Sequence, residues 1–219
     1  ELPPPGSSEW PERPPEPRRL QITIPLDQRM TAEERLPVSG GAGEFTLSPD
    51  GKQIAFVKDG EIFAMRSEEE LDRAYRLTDT AARDEELAWS PDSKSLLFTS
   101  DRGGNRDLYV IRSTDEDEPR LARSLHLEIT RLTDDAREEY GAVFSPDGER
   151  IAYRRGTGDL MVMDADGGHR KRIIEGWSQI DFRWSPDSRW IAYAQEDNEL
   201  NTEIWIISAD GEDGPHNIS

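Results

Sequence analysis

The sequence contains no cysteine, which excludes disulfide bonds, thiolate metal ligands and a cysteine nucleophile. Histidine is scarce, and none of His126, His169 and His216 lies beside a Gly-x-Ser-x-Gly motif that would mark a nucleophilic serine. No apolar run approaches the roughly 20 residues that a membrane-spanning helix needs, so membrane insertion is not expected. Positive charge is also scarce, because 27 Lys and Arg residues stand against 46 Asp and Glu residues. The net charge of −19 disfavours nucleic acid as a partner.

The composition by itself favours disorder, whereas the pattern of the apolar residues favours a folded chain. Of the 219 residues, 34% are hydrophobic and 33% are charged. The hydrophobic residues are nevertheless grouped in short, alternating runs at nearly regular intervals, which is typical of β-strands. The chain therefore has enough patterned apolar sequence to build a sizeable core.

Four copies of one sequence unit carry this pattern. Each copy contains a Ser-Pro-Asp turn, and the turn prolines Pro49, Pro91, Pro146 and Pro186 are spaced by 42, 55 and 40 residues. One strand ends just before the turn, two apolar strands follow it, and an outer strand is indicated by YRLT, TRLT, KRII and HNIS. A repeat of about 40 residues with four strands is typical of a β-propeller blade. We predict an all-β chain of four-stranded antiparallel blades at 44–78, 86–133, 141–174 and 181–219.

The segment before the first blade has a different composition. Residues 1–19 are rich in proline, which favours an extended linker. Residues 20–43 contain the alternating run LQITIPL and are predicted to be lead-in strands. The chain is thus divided into a linker (1–19), a lead-in (20–43) and the propeller blades (44–219).

The long interval between the second and third turns indicates an insertion. The surplus corresponds to Ser113–Glu128, between the third and fourth strands of the second blade. Its second half could form a short helix that starts near Pro119. Insertions on propellers lie on one face, where they either bind a partner or decorate the surface, and decoration is the favoured interpretation here.

No candidate catalytic, metal or cofactor site emerges from the residues. The serines of the four turns recur once per blade, as a structural residue does and a single active site does not; they are Ser48, Ser90, Ser145 and Ser185. Asp164-Ala165-Asp166-Gly167 resembles the start of a calcium loop, but no Glu follows at the twelfth position, and a β-turn is favoured. Trp177 departs from the repeat pattern and is the candidate for a contact at the rim or channel of the propeller.

The units SPDGKQIAF, SPDGERIAY and DLMVMDADGG resemble the WD-like β-propeller repeats of the TolB and tricorn-protease kind. The resemblance covers Glu34 to the C-terminus. Propellers of these families have six or seven blades, so the four blades favour an open arc of a larger propeller over the alternative of a closed four-bladed ring. LQITIPLDQRM followed by ERLPVSGG is similar to the lead into the propeller of tricorn-like serine peptidases.

The resemblance leaves two functions open. One is a non-catalytic propeller segment of a tricorn-like serine peptidase, which acts as a scaffold or as a substrate-gating channel for peptides. It implies a C-terminal peptidase domain of the same polypeptide as a partner, and no cofactor. The alternative is a TolB-like module that binds a protein or peptide without associated chemistry. The resemblance also favours a periplasmic or extracytoplasmic location.

Overall fold

The computed structural model describes residues 43–67, 74–196 and 202–219. The predicted linker 1–19 and all but the last residue of the lead-in 20–43 lie outside the described residues, so both assignments stay predictions. The described residues contain strands, turns and no helix, and so no apolar helix of membrane-spanning length.

In the described ranges, sixteen strands form four sheets of four strands, which we call blades 1 to 4 in chain order. Blade 1 contains β1 (Glu44–Leu47), β2 (Gln53–Lys58), β3 (Glu61–Arg66) and β4 (Ala74–Arg76). Blade 2 contains β5 (Asp84–Trp89), β6 (Ser95–Ser100), β7 (Asp107–Ser113) and β8 (Leu127–Arg131). Blade 3 contains β9 (Glu139–Phe144), β10 (Arg150–Arg155), β11 (Asp159–Asp164) and β12 (Lys171–Ile174). Blade 4 contains β13 (Asp181–Trp184), β14 (Trp190–Glu196), β15 (Thr202–Ser208) and β16 (His216–Asn217).

Every blade is an antiparallel meander in which consecutive strands are neighbours. The strands form because their apolar positions are rich in β-branched and aromatic residues that alternate with polar ones. Glycines at φ > 0, such as Gly60 and Gly156, allow the tight reversals between the second and third strands. The predicted all-β fold of four-stranded antiparallel blades is confirmed.

Three apolar clusters fill the seams between consecutive blades. Blades 1 and 2 share a cluster that includes Ile62 and Phe98. Blades 2 and 3 share one that includes Val110 and Tyr153, and blades 3 and 4 share a third around Phe182. Burial of one such side chain contributes roughly 1.5–3 kcal/mol, so the seams hold the blades together. None of the three clusters joins blade 4 to blade 1, and the described blades form an open arc, as predicted.

The insertion of blade 2 folds over the seam between blades 1 and 2. Leu121 and Ala122 are fully buried in the cluster of that seam. The backbone N–H of Ala122 donates to the side-chain oxygen of Gln53 in blade 1 over 3.1 Å. The insertion therefore connects blade 2 to blade 1 across the seam between them.

The helix predicted to start near Pro119 is wrong. The chain makes one turn, in which the N–H groups of Arg123 and Ser124 both donate to the carbonyl of Arg120, at 3.0 and 2.9 Å. The Ser124 hydroxyl then donates to the carbonyl of His126 over 2.7 Å. Such side-chain to backbone hydrogen bonds compete with helix propagation. A single turn also forms too few backbone hydrogen bonds to offset the unfavourable free energy of helix nucleation.

Candidate functional site

The four Ser-Pro-Asp turns share one hydrogen-bond pattern. In each turn the serine hydroxyl donates to the aspartate two residues later, over 2.5–2.6 Å, and accepts the backbone N–H five residues later, over 2.9–3.0 Å. The hydroxyl of Ser185 and the guanidinium of Arg189 lower the pKa of Asp187 to about 2. The four serines are therefore engaged in holding the turns. They are Ser48, Ser90, Ser145 and Ser185.

The fourth residue of the turn alternates between glycine and serine along the chain. It is Gly51 in blade 1, Ser93 in blade 2, Gly148 in blade 3 and Ser188 in blade 4, and all four have φ between 59° and 77°. In blades 2, 3 and 4 this residue lies at the seam with the preceding blade. The chemistry of each seam thus depends on whether a hydroxyl is present at this position.

Where the turn carries serine, it is hydrogen-bonded to the preceding blade. The hydroxyl of Ser93 accepts the backbone N–H of Asp50 over 3.0 Å, and its carbonyl accepts the side-chain amide of Gln53 over 3.0 Å. The hydroxyl of Ser188 accepts the N–H of Asp147 over 3.0 Å, and its carbonyl accepts the guanidinium of Arg150. The seams of blades 1–2 and 3–4 are therefore closed by two hydrogen bonds each at this face.

The seam between blades 2 and 3 is built differently. Gly148 has no side chain to accept the N–H of Asp92, and Ser95, at the position of Gln53 and Arg150, is too short to span the seam. A cleft of about 620 Å³ opens here. We call it the seam cleft; blade 2 contributes Pro91, Asp92, Lys94 and Arg112, blade 3 contributes Asp147 and Gly148, and the insertion contributes Pro119.

The charges of the seam cleft are mixed. Lys94 and Arg112 supply hydrogen-bond donors, while Asp92 and Asp147 supply carboxylate acceptors. Arg112 also donates to the carbonyl of Ala165 in blade 3 over 3.1 Å, which fixes one end of the cleft. Paired donors and acceptors of this kind suit a ligand that itself alternates N–H and C=O groups. A polypeptide backbone is such a ligand.

The first strands of the blades carry a second set of polar contacts. The carboxylate of Glu44 accepts the N–H groups of Glu86 and Leu87, each over 2.7 Å. The carboxylate of Glu86 in turn accepts the N–H of Gly141 and the hydroxyl of Thr99, over 2.7 and 2.8 Å. These carboxylates are used in joining blades, so they are not free to act as acid or base.

Glu139 and His169 take no part in these contacts between blades, and both have a raised pKa. Burial raises the pKa of Glu139 to about 7, and Glu139 is only 1% exposed. The ring of His169, in contrast to Glu139, is exposed to solvent. Its Nδ1 lies 2.6 Å from a carboxylate oxygen of Asp164, and this hydrogen bond raises the pKa of His169. The His169–Asp164 pair belongs to the hairpin turn after β11. Within the described ranges, no three His, Asp or Glu side chains converge in a way that could hold a metal ion.

Trp177, the predicted rim candidate, lies in the loop between β12 and β13 and is 61% exposed. It does not line the seam cleft, and its assignment stays a prediction. Sequence reasoning missed the cleft residues Lys94 and Arg112. The alternation of glycine and serine at the fourth turn position could have identified them, because it indicates that the seams between blades differ in their hydrogen bonds.

Comparisons with known proteins agree with the resemblance seen in the repeats. The chain is 37% identical over 89 residues to the Tol-Pal system protein TolB of Anaeromyxobacter dehalogenans, a match that covers 39% of this chain and 18% of that protein. It is 26% identical over 193 residues to dipeptidyl-peptidase 5 of Arthroderma otae, covering 83% of this chain and 22% of that protein. The chain thus spans about a fifth of the length of these curated relatives.

The solved structure of the tricorn protease superposes with a TM-score of 0.61 at 16% identity, covering 80% of this chain and 16% of that one. At this identity the superposition shows the fold. No protein-family model matches the chain. The resemblance to TolB and tricorn-type propellers is confirmed, and it establishes a propeller module.

Proposed function

We propose that this chain is a non-catalytic propeller segment of a tricorn-like serine peptidase, and that it binds peptide segments for a catalytic domain that lies outside these 219 residues. The proposal rests on the seam cleft, which lies where each of the two neighbouring seams has two hydrogen bonds between its blades. The likeness to a dipeptidyl-peptidase over 83% of the chain supports the association with peptidases. The role that follows is that of a scaffold or a gate for substrate.

The size and charge of the seam cleft support a peptide ligand. Its volume of about 620 Å³ falls within the roughly 300–1,000 Å³ of ligand sites, enough for a few residues of an extended peptide. The net charge of −19 attracts basic peptides and repels acidic ones at low ionic strength. We therefore expect basic or neutral peptides to bind in preference to acidic ones.

A substitution that closes the cleft tests the proposal. In Gly148→Ser the new hydroxyl stands where Ser93 and Ser188 stand in their turns, and a Cβ at this position meets Pro91 at 3.7 Å, which is an ordinary contact. The probes are two fluorescein-labelled peptides of twelve residues, one with four lysines and one with four glutamates in the same Gly/Ser/Ala background. We expect fluorescence polarisation to show binding of the lysine peptide, weakened about tenfold in Gly148→Ser.

The matched control is Gly51→Ser. Gly51 occupies the same turn position with φ of 73°, and a Cβ there meets nothing within 4 Å. This variant therefore carries the same backbone cost without touching the seam cleft, and it should bind the lysine peptide as the unsubstituted chain does. Equal binding by all three proteins, or no binding of either peptide at millimolar concentration, would overturn the proposal.

The TolB-like alternative is a module that binds a folded protein without associated chemistry, and the 37% identity to TolB over 89 residues favours it. Competition against the labelled lysine peptide distinguishes the two functions. Reduced, unfolded ribonuclease A should displace the peptide if the seam cleft takes extended chains, whereas native ribonuclease A should not. Displacement by both forms alike would favour the alternative.

A further inference from the structure

The carboxylates that line the seam cleft belong to the turns. Aspartates equivalent to Asp92 and Asp147 occur in all four turns of the repeat. One oxygen of each accepts the hydroxyl of its turn serine, over 2.6 Å for Asp92 and 2.5 Å for Asp147. The same oxygen accepts the backbone N–H two residues later, over 3.1 and 3.0 Å. These two carboxylates are therefore structural parts of the repeat, and they do not distinguish this seam from the others.

The cations of the seam cleft differ from blade to blade. Lys94 is the fifth residue of its turn, and Arg112 lies on β7 opposite the sixth. The residues at the same two positions in blade 3 are the carboxylates Glu149 and Asp164. The side that blade 2 presents to this seam is thus positive, whereas blade 3 carries negative charge at the equivalent positions.

Blade 1 also has cations at these two positions, but its seam is closed at this face. They are Lys52 and Arg66. The hydrogen bonds that Ser93 makes with the N–H of Asp50 and the amide of Gln53 join the two blades there. Among the seams of the described blades, the seam of blades 2 and 3 alone combines two cations with an open cleft at this face.

The protein does not neutralise these two cations. Among the described residues, Lys94 and Arg112 have no carboxylate partner, whereas Arg131 and Arg155 each lie within 3.2 Å of a carboxylate oxygen. The one side-chain contact of Arg112 is with the carbonyl of Ala165. Most N–H donors of the guanidinium, and the ammonium of Lys94, are therefore left for a ligand in the cleft.

We infer that the seam cleft binds the side-chain carboxylate of a glutamate or aspartate within the bound peptide, between Lys94 and Arg112. A carboxylate accepts hydrogen bonds from a guanidinium in a side-by-side geometry, and the ammonium adds a compact positive charge. Hydrogen bonds between such charged groups are stronger than those between neutral groups. The preferred ligand is thus an acidic residue inside an otherwise basic or neutral segment. The inference rests on the proposed function, because it names a feature of the peptide that the cleft takes.

The net charge of the chain and the local charge of the cleft have opposite effects on one added carboxylate. The net charge of −19 repels it at long range. Lys94 and Arg112 attract it at contact distance, where salt screens the interaction less than it screens the long-range repulsion. The sign of the change in affinity when glutamine is replaced by glutamate in the ligand therefore shows whether the bound residue meets the two cations.

Two fluorescein-labelled peptides of twelve residues measure this sign. Both carry four lysines in a Gly/Ser/Ala background and an amidated C-terminus, and they differ only in a central glutamate or glutamine. Fluorescence polarisation in 0.15 M NaCl should show about fivefold tighter binding of the glutamate peptide. Equal binding, or tighter binding of the glutamine peptide, would overturn the inference and leave the proposed function standing. Binding of neither peptide would overturn both.

The source of the carboxylate is checked with a third peptide, which has the glutamine sequence and a free C-terminus. It should bind as weakly as the amidated glutamine peptide. Binding as tight as that of the glutamate peptide would assign the cleft to a chain terminus and would overturn the inference for a side chain.

Variants that each remove one positive charge locate the contact. In Arg112→Gln and in Lys94→Gln the glutamate and glutamine peptides should bind with nearly equal affinity. Lys52→Gln is the matched control, because Lys52 is exposed at the same turn position of blade 1 and does not line the seam cleft. It should keep the preference for the glutamate peptide. Since both peptides are measured on the same variant, a general loss of folded protein does not change the ratio of their affinities. A preference that persists in both cleft variants would overturn the inference.

Discussion

The carboxylate of Glu86 in blade 2 accepts the backbone N–H of Gly141 in blade 3, with 2.7 Å between the oxygen and the nitrogen. Both residues lie at β-bulges of first strands and have φ near 60°. The bulge turns the N–H out of its own sheet and toward the preceding blade. Glu44 makes the same kind of contact with the N–H of Glu86, so the first strands of three blades are connected in series.

This relationship predicts the effect of removing the carboxylate. Glu86→Ala leaves the N–H of Gly141 and the hydroxyl of Thr99 without their acceptor, and we expect the free energy of unfolding to fall by about 2–3 kcal/mol. Urea unfolding at pH 7 measures the loss. Glu138→Ala is the control, because Glu138 is exposed, and it should change the free energy by less than about 0.5 kcal/mol. An equal loss in the two variants would show that the contact contributes nothing specific.

A second prediction concerns the ion pair of Arg102 and Asp84. One guanidinium nitrogen of Arg102 lies 2.8 and 2.9 Å from the two carboxylate oxygens of Asp84, which is fully buried. The same guanidinium lies over the rings of Phe98 and Tyr109, at 5.0 and 4.8 Å from their centroids. Arg102→Ala leaves a buried charge without its partner, so we expect a loss of about 3–5 kcal/mol.

Two comparisons sharpen this prediction. Arg102→Lys keeps the charge but loses the planar group that contacts the carboxylate and the rings together, and it should still destabilise the chain. The double variant Arg102→Ala/Asp84→Asn removes both charges and should recover part of the loss seen in urea unfolding. No recovery in the double variant would argue that the rings, and not the carboxylate, account for the effect.

Glu139 predicts a pH dependence of stability. Burial raises its pKa from 4.5 to about 7, and its Oε2 has no hydrogen-bond partner among the described residues. The folded chain keeps this proton between about pH 4.5 and pH 7, where the unfolded chain has lost it. The contribution of Glu139 to the free energy of unfolding therefore falls as the pH rises through that window, by about 3 kcal/mol in all.

The comparison of Glu139→Gln with the unsubstituted chain isolates this contribution. Glutamine stays neutral, so the difference between the two unfolding free energies should grow from pH 4.5 to pH 7 in favour of the variant and then stay constant. Urea unfolding at intervals of half a pH unit measures it, with Glu138→Gln as the exposed control. A difference that does not vary with pH would contradict the raised pKa.

The insertion of blade 2 gives a fourth prediction. Leu121 is fully buried over the seam of blades 1 and 2, so Leu121→Ala should lower the free energy of unfolding by about 2–4 kcal/mol. It should also speed tryptic cleavage after Arg120 and Arg123, because the turn that holds them loosens. Leu125→Ala, with Leu125 at 54% exposure, should leave both measurements unchanged. Equal cleavage rates in the two variants would mean that Leu121 does not anchor the insertion.

The four blades were predictable because each depends on residues close together in sequence. The Ser-Pro-Asp turn is closed by bonds between Ser145, Asp147 and Arg150, within six residues, and the strands beside it follow a period of two. The insertion was located correctly by the spacing of the turns. Its predicted helix was wrong, because burial of Leu121 and the hydrogen bond to Gln53 favour a single turn there, and both are contacts with blade 1.

The sequence by itself determined the repeat, the strand order within each blade and the structural use of the turn serines, because hydrogen bonding and alternation act over a few residues. Only the tertiary structure decided where the blades are joined and where they are not. Whether a turn hydroxyl such as that of Ser188 accepts a hydrogen bond from a backbone N–H depends on how the blade about 40 residues earlier in the chain packs against it. The seam cleft at Gly148 is a consequence of that packing, since it lies between residues of blade 2 and blade 3 that are more than 30 residues apart in sequence.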